Sequence, residues 1–438
     1  MIPATSSGEA VGARAIARVR SRVLPFFFLL YIIAYIDRAN VTFAKLSMQA
    51  DLKFSEQVFG LGAGIFFIGY LVLEIPGALI MERWSARLWI ARILVSWGLV
   101  TVALGFIQSA NEFYALRLVL GFAEAGFFPG LIVYLSRWFP WEERARAMGA
   151  FIMAVPVSFA VGAPLSALFL KLDWFGLEGW RWMFILEGIP AILAGFVTLR
   201  FVTDHPKDAR WMRDDERQWL MEQLAHERAW KASFGKPTIW EVFRQRNILI
   251  LSVQLCAVVM ASYGFLLWFP TTIQKLFSVD ASMANALVTP AFLAAMGMVW
   301  YMGRSSDRKK ERRWHTVIPL ALAGIFFALS TVPGQHPLLI LLWLYLTGSM
   351  LWGWTPSFWV IPSATLDASA VAASIGMVNC VGNLGGFIGP YFIGVLLTRG
   401  HAYSLAALLM AAAFLGASAL TFALKMTAPA TSVPSRSQ

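Results

Sequence analysis

Runs of about twenty apolar residues, parted by short polar breaks, repeat along nearly the whole chain. Each is long enough to cross about 30 Å of hydrocarbon as a helix. The pattern predicts spans near 24–45, 57–81, 88–109, 113–138, 147–170, 181–201, 248–273, 283–303, 316–333, 337–360, 370–397 and 402–425. The cut at 109–113 rests only on NEF, the one polar break between two apolar runs. The ten-residue alternation of an outer-membrane barrel is absent. The fold class expected is therefore an all-α polytopic membrane protein of twelve transmembrane helices.

The longest polar stretch, 202–246, falls at the middle and divides the spans six and six. The organisation read from this is a cytoplasmic segment 1–23, a six-helix bundle 24–201, a central cytoplasmic loop 202–246, a second bundle 247–425 and a cytoplasmic tail 426–438. Within the loop, DDERQWLMEQLAHERAW has helical spacing, with Trp219, Leu220, Leu224 and Trp230 available for one apolar side. It predicts a short amphipathic helix on the membrane surface. The first apolar run follows Arg14, Arg18, Arg20 and Arg22 and lacks a small-residue cleavage site, so it reads as a retained helix.

Composition agrees with burial in lipid: 58% of residues are hydrophobic and only 14% charged, where a soluble domain carries about 25%. The net charge of +11 does not point to nucleic acid, because of where it lies. With both termini inside, 28 of the 36 Lys and Arg fall in cytoplasmic segments. Six fall outside (Lys45, Lys53, Lys171, Arg181, Lys275, Arg399), and Arg38 and Arg117 lie within spans. This asymmetry sets orientation. Cys256 and Cys380 both sit in apolar runs and imply neither a disulfide framework nor a metal site.

Against that background two acids stand out, Asp37 in span one and Glu124 in span four. A carboxylate at bilayer depth costs about 2.5 kcal/mol or more and as a rule faces a cavity. Helical rise puts Asp37 roughly 20 Å from one face and Glu124 roughly 16 Å from the other, so both lie near the midplane. Burial makes a carboxyl keep its proton, whereas a neighbouring guanidinium makes it release one. Arg38 follows Asp37 directly, and Arg117 lies two turns from Glu124. An anion competing for an arginine would free its acid to take a proton, coupling the two events. Glu74 and Glu187 precede prolines near span ends and read as shallow groups that reach water or cap a neighbour.

The second half has no acid inside a span, and all five histidines lie in loops or at boundaries. Span eleven offers Asn379 and Asn383 instead, four apart and hence on one helix face. Their amides suit carboxylate or hydroxyl recognition. Tyr35, Tyr70 and Trp359 are the aromatics nearest this depth. Weak internal similarity relates ERWSARLWIAR (82–92), after span two, to GRSSDRKKERRW (303–314), after span eight. Two six-helix repeats with a midplane site between them are a known carrier plan. No P-loop, GxGxxG, HExxH or CxxC pattern appears, which argues against ATP-driven transport by this chain and against an enzyme. No cofactor or metal is expected.

These pieces resemble the major facilitator superfamily. More narrowly, YIDRANVTFA (35–44), RLVLGFAEAGFFPGLIVYLSRWFP (117–140), WRWMFILEGIPA (180–191), HPKDARWMRDDERQWL (205–220) and NCVGNLGGFIGP (379–390) resemble its anion:cation symporters. The resemblance covers about 20–425 and implies uptake of tartrate-, phthalate- or hexonate-type organic anions with protons. It implies that Asp37 and Glu124 carry the proton, that Arg38 holds the substrate carboxylate and that Asn383 contributes to binding, with Asn379, Tyr35, Tyr70 and Trp359 beside them. ERWSARLW departs from the superfamily's loop by lacking its aspartate, whereas GRSSDRKKERR keeps Asp307. Gating is expected to rest on Arg83 and Arg87 in the first half and on Arg304, Asp307 and Arg308 in the second.

The expectation is a proton-coupled symporter of a small organic anion in a bacterial inner membrane, working as a monomer in the lipid bilayer by alternating access. An exchanger of organic anions or organic phosphates without proton coupling is the alternative. Organic-phosphate exchange would need facing pocket arginines from both halves, and the second half has no buried arginine.

Overall fold

In the computed structural model, which describes residues 6–232, 241, 244–362 and 368–425, the described residues form helices joined by short loops, with no strand among them. Serines start three of the first four spans. Ser55, Ser85 and Ser109 each accept a hydrogen bond from a backbone N–H of the following first turn, at Val58, Leu88 and Glu112. Such caps satisfy donors that a helix end leaves open, and they let loops of two to five residues turn the chain back.

The first half comprises α1 (Ser6–Leu52), α2 (Glu56–Arg83), α3 (Ala86–Leu104), α4 (Ala110–Glu124), α5 (Phe127–Trp138), α6 (Trp141–Ile152), α7 (Ala154–Phe169) and α8 (Gly179–Phe201). After the surface helix α9 (Asp214–Ala232) come α10 (Arg246–Phe277), α11 (Ala281–Leu287), α12 (Thr289–Lys309), α13 (Arg313–Leu329), α14 (Pro337–Met350), α15 (Thr355–Phe358), α16 (Ala368–Thr398) and α17 (Tyr403–Leu420). Ten stretches are long and apolar enough to cross a membrane, and Ala154–Phe169 and Arg313–Leu329 are shorter apolar helices. Together they supply twelve spans. Large apolar side chains such as Leu99, Leu193, Phe196 and Val253 remain more than half exposed around the perimeter. In water that would be a liability; against acyl chains it costs nothing. This is a multi-pass membrane protein.

Three features depart from a picture of simple spans. The first helix does not begin at residue 24 but runs unbroken from Ser6, so much of the expected cytoplasmic segment is helical. Its extension packs on α9, with Arg14 on Asp215 at 3.2 Å and Arg18 on Glu216 at 3.0 Å. Leu220 and Leu224 of α9 are buried, as its amphipathic spacing predicts. Span four is broken directly after Glu124: α4 ends there, and Gly126 takes φ 80°, a left-handed backbone that glycine adopts without strain. Spans five, eight and ten are broken too, at Met153, Val288 and 351–354. The tail 426–438 lies outside the described residues, as do 1–5 and most of 233–243.

The halves meet chiefly through α2 against α16, α7 against α11 and α12, and α1 against α10. On the face opposite the termini this contact is polar and closed. Lys45, fully buried, pairs with Glu56 at 3.0 Å and reaches Thr271 of α10 at 3.3 Å. Its ammonium also lies 4.2 Å from the Trp268 ring centre, and the Trp268 indole donates to Glu56 at 3.0 Å. Asn285 donates to the Phe43 carbonyl at 2.8 Å, and Ser282 to that of Ala167 at 2.7 Å.

Candidate functional site

Between the halves, near mid-depth, lies a cavity of about 120 Å³. Tyr35, Arg38, Tyr70 and Phe128 line it from the first half; Tyr263, Trp352, Trp359, Asn379 and Asn383 line it from the second. Tyr35, Arg38, Tyr70, Trp359, Asn379 and Asn383 are thus brought together as the sequence led one to expect. Phe128 and Trp359 face each other across the gap, ring centres 6.4 Å apart. Sequence spacing gave no reason to pick Phe128 or Trp352 from so many aromatics. Behind the lining, Gly385 lets α16 approach α10 so closely that a Cβ there would collide with the Cys256 carbonyl.

Arg38 is the cation of this cavity. Its guanidinium stacks over Tyr70 at 4.8 Å and Tyr35 at 5.2 Å, and its Nε donates to Glu124 Oε1 at 2.5 Å. The pairing corrects the expectation read from chain proximity. Adjacent helical residues point about 100° apart, so Asp37 and Arg38 cannot share a direction. Arg38 turns to the cavity, while Asp37 turns into the first bundle, where Asn40 donates to its Oδ1 at 3.1 Å and Thr101 and Arg117 lie beside it. Arg117 in turn does not pair with Glu124 as its own helix partner. Its guanidinium donates to the carbonyls of Gly62 and Ala63 at 3.1 and 3.2 Å.

Neither acid lines the cavity: Asp37 and Glu124 are each 1% exposed. Glu124 reaches the opening only through Arg38. Because its helix ends at Glu124, the carboxyl sits where the backbone changes direction. One oxygen of each, Asp37 Oδ2 and Glu124 Oε2, is buried without a hydrogen-bond partner among the described residues. A buried polar oxygen left so is costly.

Glu74 and Glu187 are not the shallow, water-reaching groups that their positions implied. They are 2% and 4% exposed. Ser166 donates to Glu187 at 3.0 Å, with Asp37 nearby. Glu74 accepts a hydrogen bond from Asn379 across the two halves. The residue-level signal was available, since Glu74 follows Tyr70 by one turn on the same face of α2; depth counted from the span end hid it.

The expected gating residues lie at the membrane face on the side of the termini. Arg87, Arg304, Asp307 and Arg308 are exposed, and the Arg83 side chain lies outside the described residues. Arg304 lies over Trp300, and Asp307 pairs with Arg312 at 2.7 Å. The aspartate missing from the loop after span two is supplied from elsewhere. Asp204, after span six, accepts from Ser85 Oγ at 2.7 Å and from the Arg87 backbone N–H at 2.9 Å. Arg137 donates to the Met81 carbonyl and Arg144 to Glu227 of α9, which ties the surface helix to this loop region.

The model of the Major Facilitator Superfamily matches residues 27–390. A chain from Agrobacterium vitis named for tartrate transport is 38% identical over 424 residues, 95% of this chain and 96% of its own. The metabolite transport protein NicT of Pseudomonas putida is 35% identical, covering 88% of this chain and 89% of its own. A bacterial homologue of the human lysosomal transporter Spinster, solved inward-facing and occupied, superposes with a TM-score of 0.70 at 19% identity over 92% of this chain and 96% of its own. By sequence and by fold this chain belongs to the Major Facilitator Superfamily: it is a membrane transporter and not an enzyme.

Proposed function

We propose that the chain imports a small organic anion together with protons by alternating access, from the inner membrane of a bacterium, with both termini cytoplasmic. The observation that carries this reading is the Arg38–Glu124 pair, with Arg38 on the cavity wall and Glu124 behind it. A carboxylate entering the cavity meets one guanidinium, already ordered by two tyrosine rings. A ligand carboxylate competes with Glu124 for this guanidinium, and drawing it into the cavity weakens the pair. Glu124 is then a buried acid without its cation, and takes a proton. Asp37, one residue from Arg38 and beside Arg117, forms the second proton position. Asn379, Asn383, Tyr35, Tyr70 and Trp359 shape the rest of the site.

Other features agree with this reading. The latch around Lys45 closes the side opposite the termini, the arrangement a carrier needs while its site communicates with the cytoplasm. The loops around Arg87 and Asp307 then form the opposite gate. The Agrobacterium vitis relative's name supports an organic acid as cargo. Uptake of labelled sugar acids, hydroxy-dicarboxylates and aromatic acids into proteoliposomes tests the proposal. Accumulation above equilibrium only under an inward proton gradient supports it; equal uptake with and without the gradient identifies an uncoupled exchanger and refutes it.

A further inference from the structure

The second-half wall of the cavity is set by a residue of the first half. Glu74 stands on α2 one turn beyond Tyr70, and its Oε1 accepts from the Asn379 amide nitrogen. Asn383, four residues along α16, lies on the same helix face, but the other carboxyl oxygen of Glu74 has no hydrogen-bond partner among the described residues. A carboxylate has only acceptors to offer, so an amide that meets it must turn its amino end inward. The carbonyl end is what remains. Both asparagines line the cavity, and Asn379, its amino group drawn to Glu74, is left its carbonyl to present there. The polarity across the site is therefore a cation at Arg38 and a hydrogen-bond acceptor, backed by an acid, at the other end.

We infer that Glu74 makes the carrier selective for monocarboxylates that bear hydroxyl or N–H donors away from the carboxylate, and selective against a second carboxylate at that position. The inference rests on the proposed transport of organic anions and narrows their class. A ligand of this kind sets its carboxylate on Arg38 and donates to the carbonyl of Asn379. A dicarboxylate would bring acceptors and negative charge to an acceptor and a neighbouring acid. A ligand with no polar group there would leave that carbonyl unmet. Glu74 is a positioning residue: it acts through Asn379.

Two matched series test it, gluconate against glucarate and hexanoate, and p-aminobenzoate against terephthalate and benzoate. Binding of each to the purified full chain is measured for wild type and for Glu74→Gln. In at least one series wild type should favour the donor-bearing monocarboxylate over both companions by about tenfold or more. Glu74→Gln can offer an amino group of its own, so Asn379 can turn, and the preference over the dicarboxylate should fall by about tenfold. Should Glu74→Gln fail to fold, Asn379→Ala takes its place: it removes the presented carbonyl and should lower the preference over hexanoate or benzoate. Equal or better binding of the dicarboxylates by wild type overturns the inference while leaving anion transport standing, as does a preference that both variants keep. If no carboxylate in either series binds, the transport proposal itself falls and takes this inference with it.

Discussion

Arg38 Nε and Glu124 Oε1 are 2.5 Å apart, joining span one to the break in span four at the wall of the central cavity. In the proposed mechanism the pair is the point where a ligand's charge and the carrier's own acid meet the same cation. Lysine keeps the charge but not the planar fork that grips a carboxylate bidentately. Arg38→Lys should therefore weaken ligand binding by about tenfold or more, some 1.4 kcal/mol. Calorimetric titration of the purified variant measures the loss; unchanged affinity would remove Arg38 from the site.

Asp37 is buried away from the cavity, so its role does not depend on touching cargo. Asp37→Asn retains the shape and the Asn40 contact but cannot exchange a proton. The expected outcome is retained ligand binding and exchange with loss of gradient-driven accumulation. Thermal unfolding of the variant in detergent should stay close to wild type, which separates lost coupling from lost fold.

The Lys45 latch exists only while the halves touch on the face opposite the termini. Lys45→Met removes the contacts of its ammonium to Thr271 and Trp268 across the halves, a loss of about 1–3 kcal/mol from the closed arrangement. Such a change moves a two-state equilibrium about 5- to 150-fold. Distances between spin labels on the α2 and α10 ends at this face should then broaden toward longer values. An unchanged distribution would show that the latch does not hold the state.

Outside the membrane, Glu311 caps α13. Partial burial works to raise its carboxyl, but the backbone N–H groups of Trp314 and His315 and the His315 ring outweigh it and hold it below the usual carboxylate range. A depressed acid stabilises the fold above its unfolded value and loses that contribution as pH falls through the folded one. Glu311→Ala should cost about 1 kcal/mol near neutral pH, as a lost helix cap does. The gap between the two unfolding temperatures should narrow as pH falls below about 4.

Much of this was legible along the chain. Apolar runs gave the spans, because every backbone group in lipid must be satisfied within its own helix. The amphipathic spacing of 214–230 gave the surface helix. Asn379, Asn383, Arg38 and Tyr70 were readable because one polar residue in an apolar run has few places to face. Partnership across helices was not readable. Arg38 joins Glu124 across 86 residues, Glu74 joins Asn379 across 305, and Asp204 reaches the loop at Ser85 across 119. Spacing tells which residues of one helix share a face; it does not tell which helix that face meets. The break after Glu124 was hidden as well, since GFAEAGFFPG is apolar enough to read as one uninterrupted span.

The central claim is that Glu124 takes a proton when ligand draws Arg38 away. Proteoliposomes holding Glu124→Gln test it most directly, through exchange of labelled ligand without a gradient and accumulation under an inward proton gradient. Exchange that persists while accumulation vanishes is the predicted result. Accumulation at the wild-type level would contradict it.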